Sequence, residues 1–441
     1  MIKNTFESSF PPEWVETNID DPTNELVIIR DIIPWQKIID RLCPFYDDSK
    51  GAFGKSLRTM IALLIILRYR GLSDRKVVVA VQENRFVQYF CNVPDCILRT
   101  FIHHSSLCVF RKRLGKEGIA IIEEEIFEFL RKVGVIKGDN ALIDSSVLPN
   151  DIIHPNDVLL VYKAFKKMAQ FAKRHGILVW WDEILIKKLW REYRLTKKAN
   201  RLEWLIKFNA LFVPAFKIFK KEVQALTIPQ TTEKRKNKAE ILCRLLELFQ
   251  EQTAEKVTGE IHIEHRIVSL DEPEARPIKK GKEHPDCEFG SKVQMSFNRE
   301  GFMITVENFI GNPNDKTLFP ATLAIFKERM KEDPESVITD LGYRSLNNFK
   351  ISEDIPNVFL GRSDDVCEAK KEFCCKARSA TEGFIAVAKN IRGFGRSLYN
   401  GFEGDRVWSL LCQTSYNLRK FILLLKDEKI SEQNLVKLSL A

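Results

Sequence analysis

Asn140-Ala-Leu-Ile-Asp-Ser-Ser-Val-Leu-Pro149 is the stretch whose reading decides the fold. Ala141-Leu142-Ile143 is a short apolar run that ends in the carboxylate of Asp144, and Ser145, Ser146 and Pro149 follow it. It reads as a buried strand running out into a loop. Everything before it has a different period. Apolar residues recur at 57, 60, 61, 63, 64 and 67, then at 77, 78, 79 and 81 after a break at Gly71, with Ser73 placed as an N-cap. A third helix opens at Ser105 or Ser106 with Leu107, Phe110 and Leu114 on one face, and a fourth covers Gly118 to Val133. These spacings predict an all-helical N-terminal domain over residues 1–138.

Beyond the strand the helical period returns from Asp157 to about Ala254, a stretch that holds Trp180, Trp181, Trp190, Trp204 and the basic run Lys234-Arg235-Lys236-Asn237-Lys238. It reads as a helical insertion at about 157–256, its cations more ordinarily a solvated face than a binding site. After Gly259 strands are expected at Ile261–Leu270, Lys292–Phe297 and Gly301–Ile310, the last two joined by a turn at 298–301. Then helix and strand alternate: a helix over Lys316–Lys331, a strand over Val337–Asp340, a short helix over Ser345–Ile351, a strand over Pro356–Leu360. Helices over Glu368–Ile391 and Asp405–Leu425 complete an α/β core spanning 139–441.

At 441 residues, with 44% hydrophobic and 29% charged content, the chain is long enough for two or three packed units of ~150 residues. Gly 20 and Pro 17 exclude collagenous or broadly disordered material. The longest apolar run, Met60 to Leu67, falls far short of the ~20 residues that cross a bilayer. The opening Met-Ile-Lys-Asn-Thr-Phe-Glu-Ser-Ser lacks the pattern of a secretory signal, so a cytoplasmic location is expected, associated with the nucleoid when bound to DNA. The ten cysteines are scattered without zinc-ribbon spacing and read as reduced thiols. Lys+Arg 69 against Asp+Glu 60 leaves +9, which admits a polyanionic partner without requiring one.

Three acids stand out by position. Asp144 and Asp340 each follow an apolar run where a strand ends, the crevice in which open α/β sheets bind ligands. Glu382 shares a helical stripe with Arg378, Ile385 and Lys389. Each has a plain structural reading. Asp144 could cap a turn before two serines, Asp340 could serve the turn at Gly342, and Glu382 could form an i, i+4 pair with Arg378 worth only ~0.3–0.5 kcal/mol. Their joint placement on strand, strand and helix points instead to phosphoryl transfer assisted by two metal ions, which uses hard carboxylate oxygens and needs no cysteine or histidine.

These blocks together resemble the DDE transposases of bacterial insertion sequences, in the group related to insertion sequence five. Residues 142–157, Leu-Ile-Asp-Ser-Ser-Val-Leu-Pro-Asn-Asp-Ile-Ile-His-Pro-Asn-Asp, resemble the block around that family's first aspartate. Lys280-Gly281-Lys282 and Phe289-Gly290-Ser291-Lys292 resemble the stretch leading into its second strand. Ile338-Thr-Asp-Leu-Gly-Tyr-Arg-Ser345 resembles its second aspartate block, and Arg378, Glu382 and Lys389 match the spacing of its Tyr-Arg-Glu-Lys signature. Cys375 stands where that signature has tyrosine, and Leu341 where members often have lysine. The block from Phe53 to Val93 is similar to the group's helical N-terminal domain, thought to serve DNA binding or assembly.

The resemblance implies an RNase H-like core, a mixed five-stranded sheet with helices. It makes Asp144, Asp340 and Glu382 the catalytic and metal-binding triad for two Mg²⁺ ions, with Mn²⁺ able to substitute, and Arg378 and Lys389 contacts to DNA. The implied reaction is metal-dependent strand cleavage at the element's ends, followed by strand transfer into target DNA. Further DNA contacts are expected from Lys292, Lys280 and Lys282, and from Arg111 and Arg113 on a helix that could serve recognition. The implied partners are double-stranded DNA, as terminal inverted repeats and target, and a second copy of the chain or a larger synaptic assembly. The alternatives are a transposase-derived DNA-binding protein without catalysis, and an RNase H-like nuclease.

Overall fold

The structure is a computed structural model and describes residues 10–46, 55–95, 98, 101–177, 181–196, 200–226, 233–260, 263–279, 287–361 and 368–427. The chain divides into two compact units, one made of Met1–Pro149, Lys292–Phe309 and Pro313–Ala441, the other of Asn150–Ser291 with Ile310–Asn312.

Seven helices come first among the described residues: α1 (Pro12–Asn18), α2 (Glu25–Ile32), α3 (Trp35–Leu42), α4 (Leu57–Tyr69), α5 (Asp74–Glu83), α6 (Arg85–Phe90) and α7 (Ser105–Lys132). α4 is buried along nearly its whole length, as a helix apolar on every side must be. Ser73 caps α5, its hydroxyl accepting from the Lys76 N–H at 3.3 Å. The two helices expected on either side of residue 115 follow one another within α7, broken at Gly115, whose φ of 59° and ψ of −162° suit glycine alone.

Strand β1 (Asn140–Pro149) follows, and here the structure departs from expectation. The strand does not run out after Asp144 but continues to Pro149. The second unit then holds α8 (Asp157–His175), α9 (Glu183–Leu195), α10 (Arg201–Ala225) and α11 (Glu233–Val257), packed around Phe208, Phe212, Phe219 and Phe249. The strand expected at 261–270 is absent among its described residues, 263–270. Ile267 is instead clamped by Gln252, whose amide nitrogen donates to the Ile267 carbonyl at 3.1 Å and whose oxygen accepts the Ile267 N–H at 2.7 Å. Ile267 and Leu270 are buried in the helical core, so apolar alternation there serves helix packing rather than a ladder.

The remaining elements are β2 (Arg276–Lys279), β3 (Cys287–Phe297), β4 (Met303–Phe309), α12 (Asp315–Met330), β5 (Ser336–Thr339), α13 (Leu346–Ile351), β6 (Asn357–Leu360), α14 (Glu368–Ile391) and α15 (Phe402–Lys426). The sheet is mixed, with six strands among the described residues where five were expected, in the order β2-β3-β1-β5-β6 with β4 also paired to β3. β1, β5 and β6 are parallel, and β3 is antiparallel to β2 and β4. The hairpin turn forms where the sequence placed it, with Gly301 at φ 86°. A Cβ there would come within 2.6 Å of the Phe384 ring on α14.

The boundary expected at residue 138 marks a change of secondary structure, not a break in packing. One hydrophobic cluster runs from Leu26 and Ile61 in the helical region through Leu142 and Val337 in the sheet to Phe421 on α15. α15 packs along α4, α7 and β4. It binds the β4 backbone directly: Asn417 accepts the Met303 N–H and donates to its carbonyl, both at 2.9 Å, and Gln413 donates to the carbonyls of Met303 and Ile304. No helix among the described residues is long and apolar enough to cross a membrane.

Candidate active site

The parallel register decides where the first two acids stand. Leu142 on β1 faces Ile338 on β5. Leu142 and Ile338 are the last pair of that ladder, so Asp144, two residues on along β1, and Asp340, just past the end of β5, stand at the same end of it. β5 ends at Thr339, and Asp340 turns the chain: its Oδ1 accepts the Gly342 N–H at 2.9 Å and caps the single turn Leu341–Tyr343. Asp144 Oδ1 accepts the Ser145 N–H at 2.7 Å. Both carboxylates are half-buried. α14 packs on β1 and β5 and carries the third acid, Glu382, which is exposed.

The charges of these groups act on one another. The Asp144 carboxyl is pushed up to about 7, first by burial and then by the neighbouring charges of Asp340, Asp315 and Glu382, against the pull of the Ser145 N–H. Burial and the charge of Asp315 also raise Asp340, while the Gly342 N–H, Arg378 and Lys292 lower it. The structure thus brings together Asp144, Asp340, Glu382 and Arg378 from distant parts of the chain.

It adds Asp315, which sequence reasoning passed over. Asp315 follows Asn314, whose side chain accepts the Lys316 N–H, and an acid in the first turn reads as an ordinary companion of the helix dipole. Only the fold turns that helix start toward the other acids. Beneath them Tyr343 is fully buried. Its hydroxyl bonds Gln294 at 3.3 Å and the Ser145 side chain, and burial holds it well above the usual phenol range.

Two residues expected to touch DNA are committed to the interior. Lys292 is 6% exposed, its ammonium 2.8 Å from both the Asp315 carboxylate and the Pro313 carbonyl. Its place in the middle of a β3 ladder turns it inward as a counter-ion. Arg111 is 9% exposed, forms a two-pronged bond to Asp74 at 2.7 and 2.8 Å, and stacks over Tyr399. The helical period places it on the inner face of α7, beside Leu107 and Leu114. Arg113 is exposed, with its guanidinium 4.6 Å from the Tyr46 ring centroid. Lys280 and Lys282 lie outside the described residues. Lys389 lies on α14 beyond Glu382, lining a separate cavity.

Carboxylate oxygens with no thiol or imidazole among them are the donor set of a hard divalent cation, and four acids near one another leave a negative surplus that such a cation would neutralise. The residues therefore fit Mg²⁺ in kind. As the side chains stand, no three His, Cys, Asp or Glu among the described residues come close enough together to hold an ion. The effect of Glu382 on Asp144 is the faintest of the three acids.

Comparison with known proteins adds an independent line. A protein of Rhizobium meliloti described as "Uncharacterized protein ORF8 in nfe locus" is 29% identical over 162 residues, which cover 36% of this chain and 78% of that protein. No solved structure matches. Residues 14–113, which run from α1 to the first half of α7, match the family described as Transposase domain (DUF772).

Proposed function

We propose that the chain is the transposase of an insertion sequence and works as a DDE enzyme on DNA. The observation that carries this reading is the placement of Asp144 on β1 and of Asp340 just past the end of its parallel neighbour β5, with the helix of Glu382 and Arg378 packed on both strands. The order of strands and helices supports an RNase H-like core. The N-terminal match supports transposition as the setting.

In this reading Asp144, Asp340 and Glu382 supply the oxygens that hold two divalent ions. Ions bound there would activate the attacking oxygen and stabilise the leaving one during in-line displacement at a phosphodiester. The chain's own residues do the rest. The Gly342 and Ser145 N–H groups fix the two aspartates. Tyr343 packs the floor beneath them, and Arg378 places a cation where the scissile phosphate would approach. Lys292 holds Asp315 from within, so that the fourth acid is partly neutralised when DNA arrives. Double-stranded DNA is the substrate, and two ends held together call for a dimer or larger assembly.

The test is cleavage of DNA carrying the element's terminal repeats by the purified chain with Mg²⁺. Strand cleavage and a 3′ end joined to target DNA are expected, and both should vanish with Asp340→Asn. Cleavage undiminished by that substitution would refute the assignment. Cleavage without any joined product would make the protein a nuclease on the same core, and gel-shift without cleavage a DNA-binding derivative.

A further inference from the structure

The charge of the chain is unevenly placed. Residues 157–257, from the start of α8 to the end of α11, hold 22 Lys and Arg against 11 Asp and Glu, a balance of +11. The whole chain carries +9, so the other 340 residues stand at −2. A merely solvated surface mixes both signs, whereas an excess of one sign on a small unit makes a field that draws a polyanion.

Within this unit α9 concentrates the excess, with four cations to two acids, Glu183 and Glu192. Lys187, Lys188, Arg191 and Arg194 are all exposed and fall at i, i+1, i+4 and i+7, one side of the helix. Glu183 comes within 3.7 Å of Lys187. The other side is fixed to its own unit by rings. Ile186, Trp190 and Tyr193 fall at i, i+4 and i+7, and Ile186 is buried. Trp190 stacks on Tyr162 of α8 with centroids 4.7 Å apart and planes 10° apart. Tyr193 meets Trp204 of α10 edge-on at 5.7 Å, and its hydroxyl accepts from Asn156 Nδ2 at 2.6 Å. Lys166 and Lys207, both exposed, lie over the outer rings of this chain, Tyr162 and Trp204, at 4.7 and 4.8 Å. Cations therefore also border α9 on the α8 side and on the α10 side.

We infer that the outward face of α9 binds the sugar-phosphate backbone of double-stranded DNA, independent of sequence, as a surface of the helical unit's own. From Lys187 to Arg194 the helix rises about 10 Å, which spans about three phosphates along one strand. Lysine and arginine on phosphates supply affinity and orientation without reading bases. An anionic membrane would attract the same cations, but a helix lying on a membrane sinks its apolar face, and on α9 that face is taken up by Tyr162 and Trp204. Ile184 and Leu195, 79% and 73% exposed, stand at opposite ends of the helix. The inference rests on the DNA reading above.

The experiment measures binding of a random-sequence duplex by the full chain without divalent ions, as a function of salt. Each phosphate contact contributes about 0.9 to the slope of log affinity against log salt. Lys188→Gln, Arg191→Gln and Arg194→Gln together should lower that slope by about two to three and weaken binding at least about tenfold at moderate salt. Arg191→Gln alone should lower it by about one, and Lys188→Arg with Arg191→Lys and Arg194→Lys should keep it. The control removes equal charge from exposed positions on α10 and α11, Lys217→Gln, Lys221→Gln and Arg244→Gln, and should change the slope less. Circular dichroism and thermal melting verify that the variants are folded.

An unchanged slope in the α9 glutamine variant, or an equal loss in the control, overturns the inference, while loss of cleavage with Asp340→Asn still upholds the carboxylates. Release from phosphatidylserine vesicles by the α9 glutamine variant, with the DNA slope unmoved, makes the stripe a membrane contact and overturns it too. If the unsubstituted chain binds no duplex, the DNA reading itself falls and takes this inference with it.

Discussion

Glu123 and Asp144 are both acids set into the same unit, and their surroundings are opposite. Glu123, 1% exposed, is gripped by both Nη atoms of Arg329 at 2.7 and 2.8 Å, and that guanidinium lies over Phe127. Burial raises its carboxyl and Arg329 pulls it back. Asp144 has a backbone N–H and otherwise feels chiefly other acids. A buried acid answered by an arginine holds a fold together. An acid crowded by acids is kept where it costs stability, which makes it the better mark of a reactive site.

Four experiments bear on that contrast. The largest effect is expected at Asp340, where replacement by asparagine should cut Mg²⁺-dependent DNA cleavage at least about a thousandfold, a barrier increase of roughly 4 kcal/mol. Single-turnover assays on end-bearing DNA measure it. Arg329→Ala leaves Glu123 buried without its partner and should cost about 3–5 kcal/mol in urea unfolding, with Glu123→Leu plus Arg329→Met recovering most of the loss. If Arg329→Ala is silent, the two acids do not differ in the way described.

Third, Mg²⁺ at about a hundred times its dissociation constant should stabilise the unsubstituted chain by about 2.7 kcal/mol in thermal unfolding, and Asp144→Asn should abolish most of that gain. The smallest effect belongs to Glu128. Arg131, bonded through Nε and Nη2 at 2.8 Å, and then Lys331 hold its carboxyl down at about 2. A depressed carboxyl stabilises the fold above its ordinary range, and that contribution disappears as pH falls from about 4.5 through 2. Glu128→Gln should therefore cost on the order of 1–2 kcal/mol at pH 7, allowing for its partial exposure, with the difference shrinking toward pH 2. Denaturant melts at the two pH values give the comparison.

Much of this was legible in the chain. The apolar runs at 141–143 and 337–339 placed two strands, and the stripe through Arg378, Glu382 and Lys389 placed a helix, because period and burial are local properties. What escaped is long-range. Lys292 and Arg111 look like any surface cations until the ladder of β3 and the inner face of α7 turn them inward. Asp315 looks like a helix-start acid until the fold brings it near Asp144. Ile267 and Leu270 have strand-like alternation, but their neighbours are helices, which no local pattern reveals. The parallel pairing of β1 with β5, at whose end Asp144 and Asp340 stand, likewise joins segments separated by the whole helical insertion.

The bonds from Gln413 and Asn417 to the backbone of β4 have a consequence for synthesis. Among the described residues β4 pairs with β3 alone, and backbone groups of Met303 and Ile304 are satisfied by α15, which leaves the ribosome more than a hundred residues later. Until then the nascent sheet carries a bare strand edge able to recruit another copy emerging from the same message. How fast α15 docks thus governs how many newly made chains escape aggregation, a selection on yield that has nothing to do with the chemistry of the carboxylates.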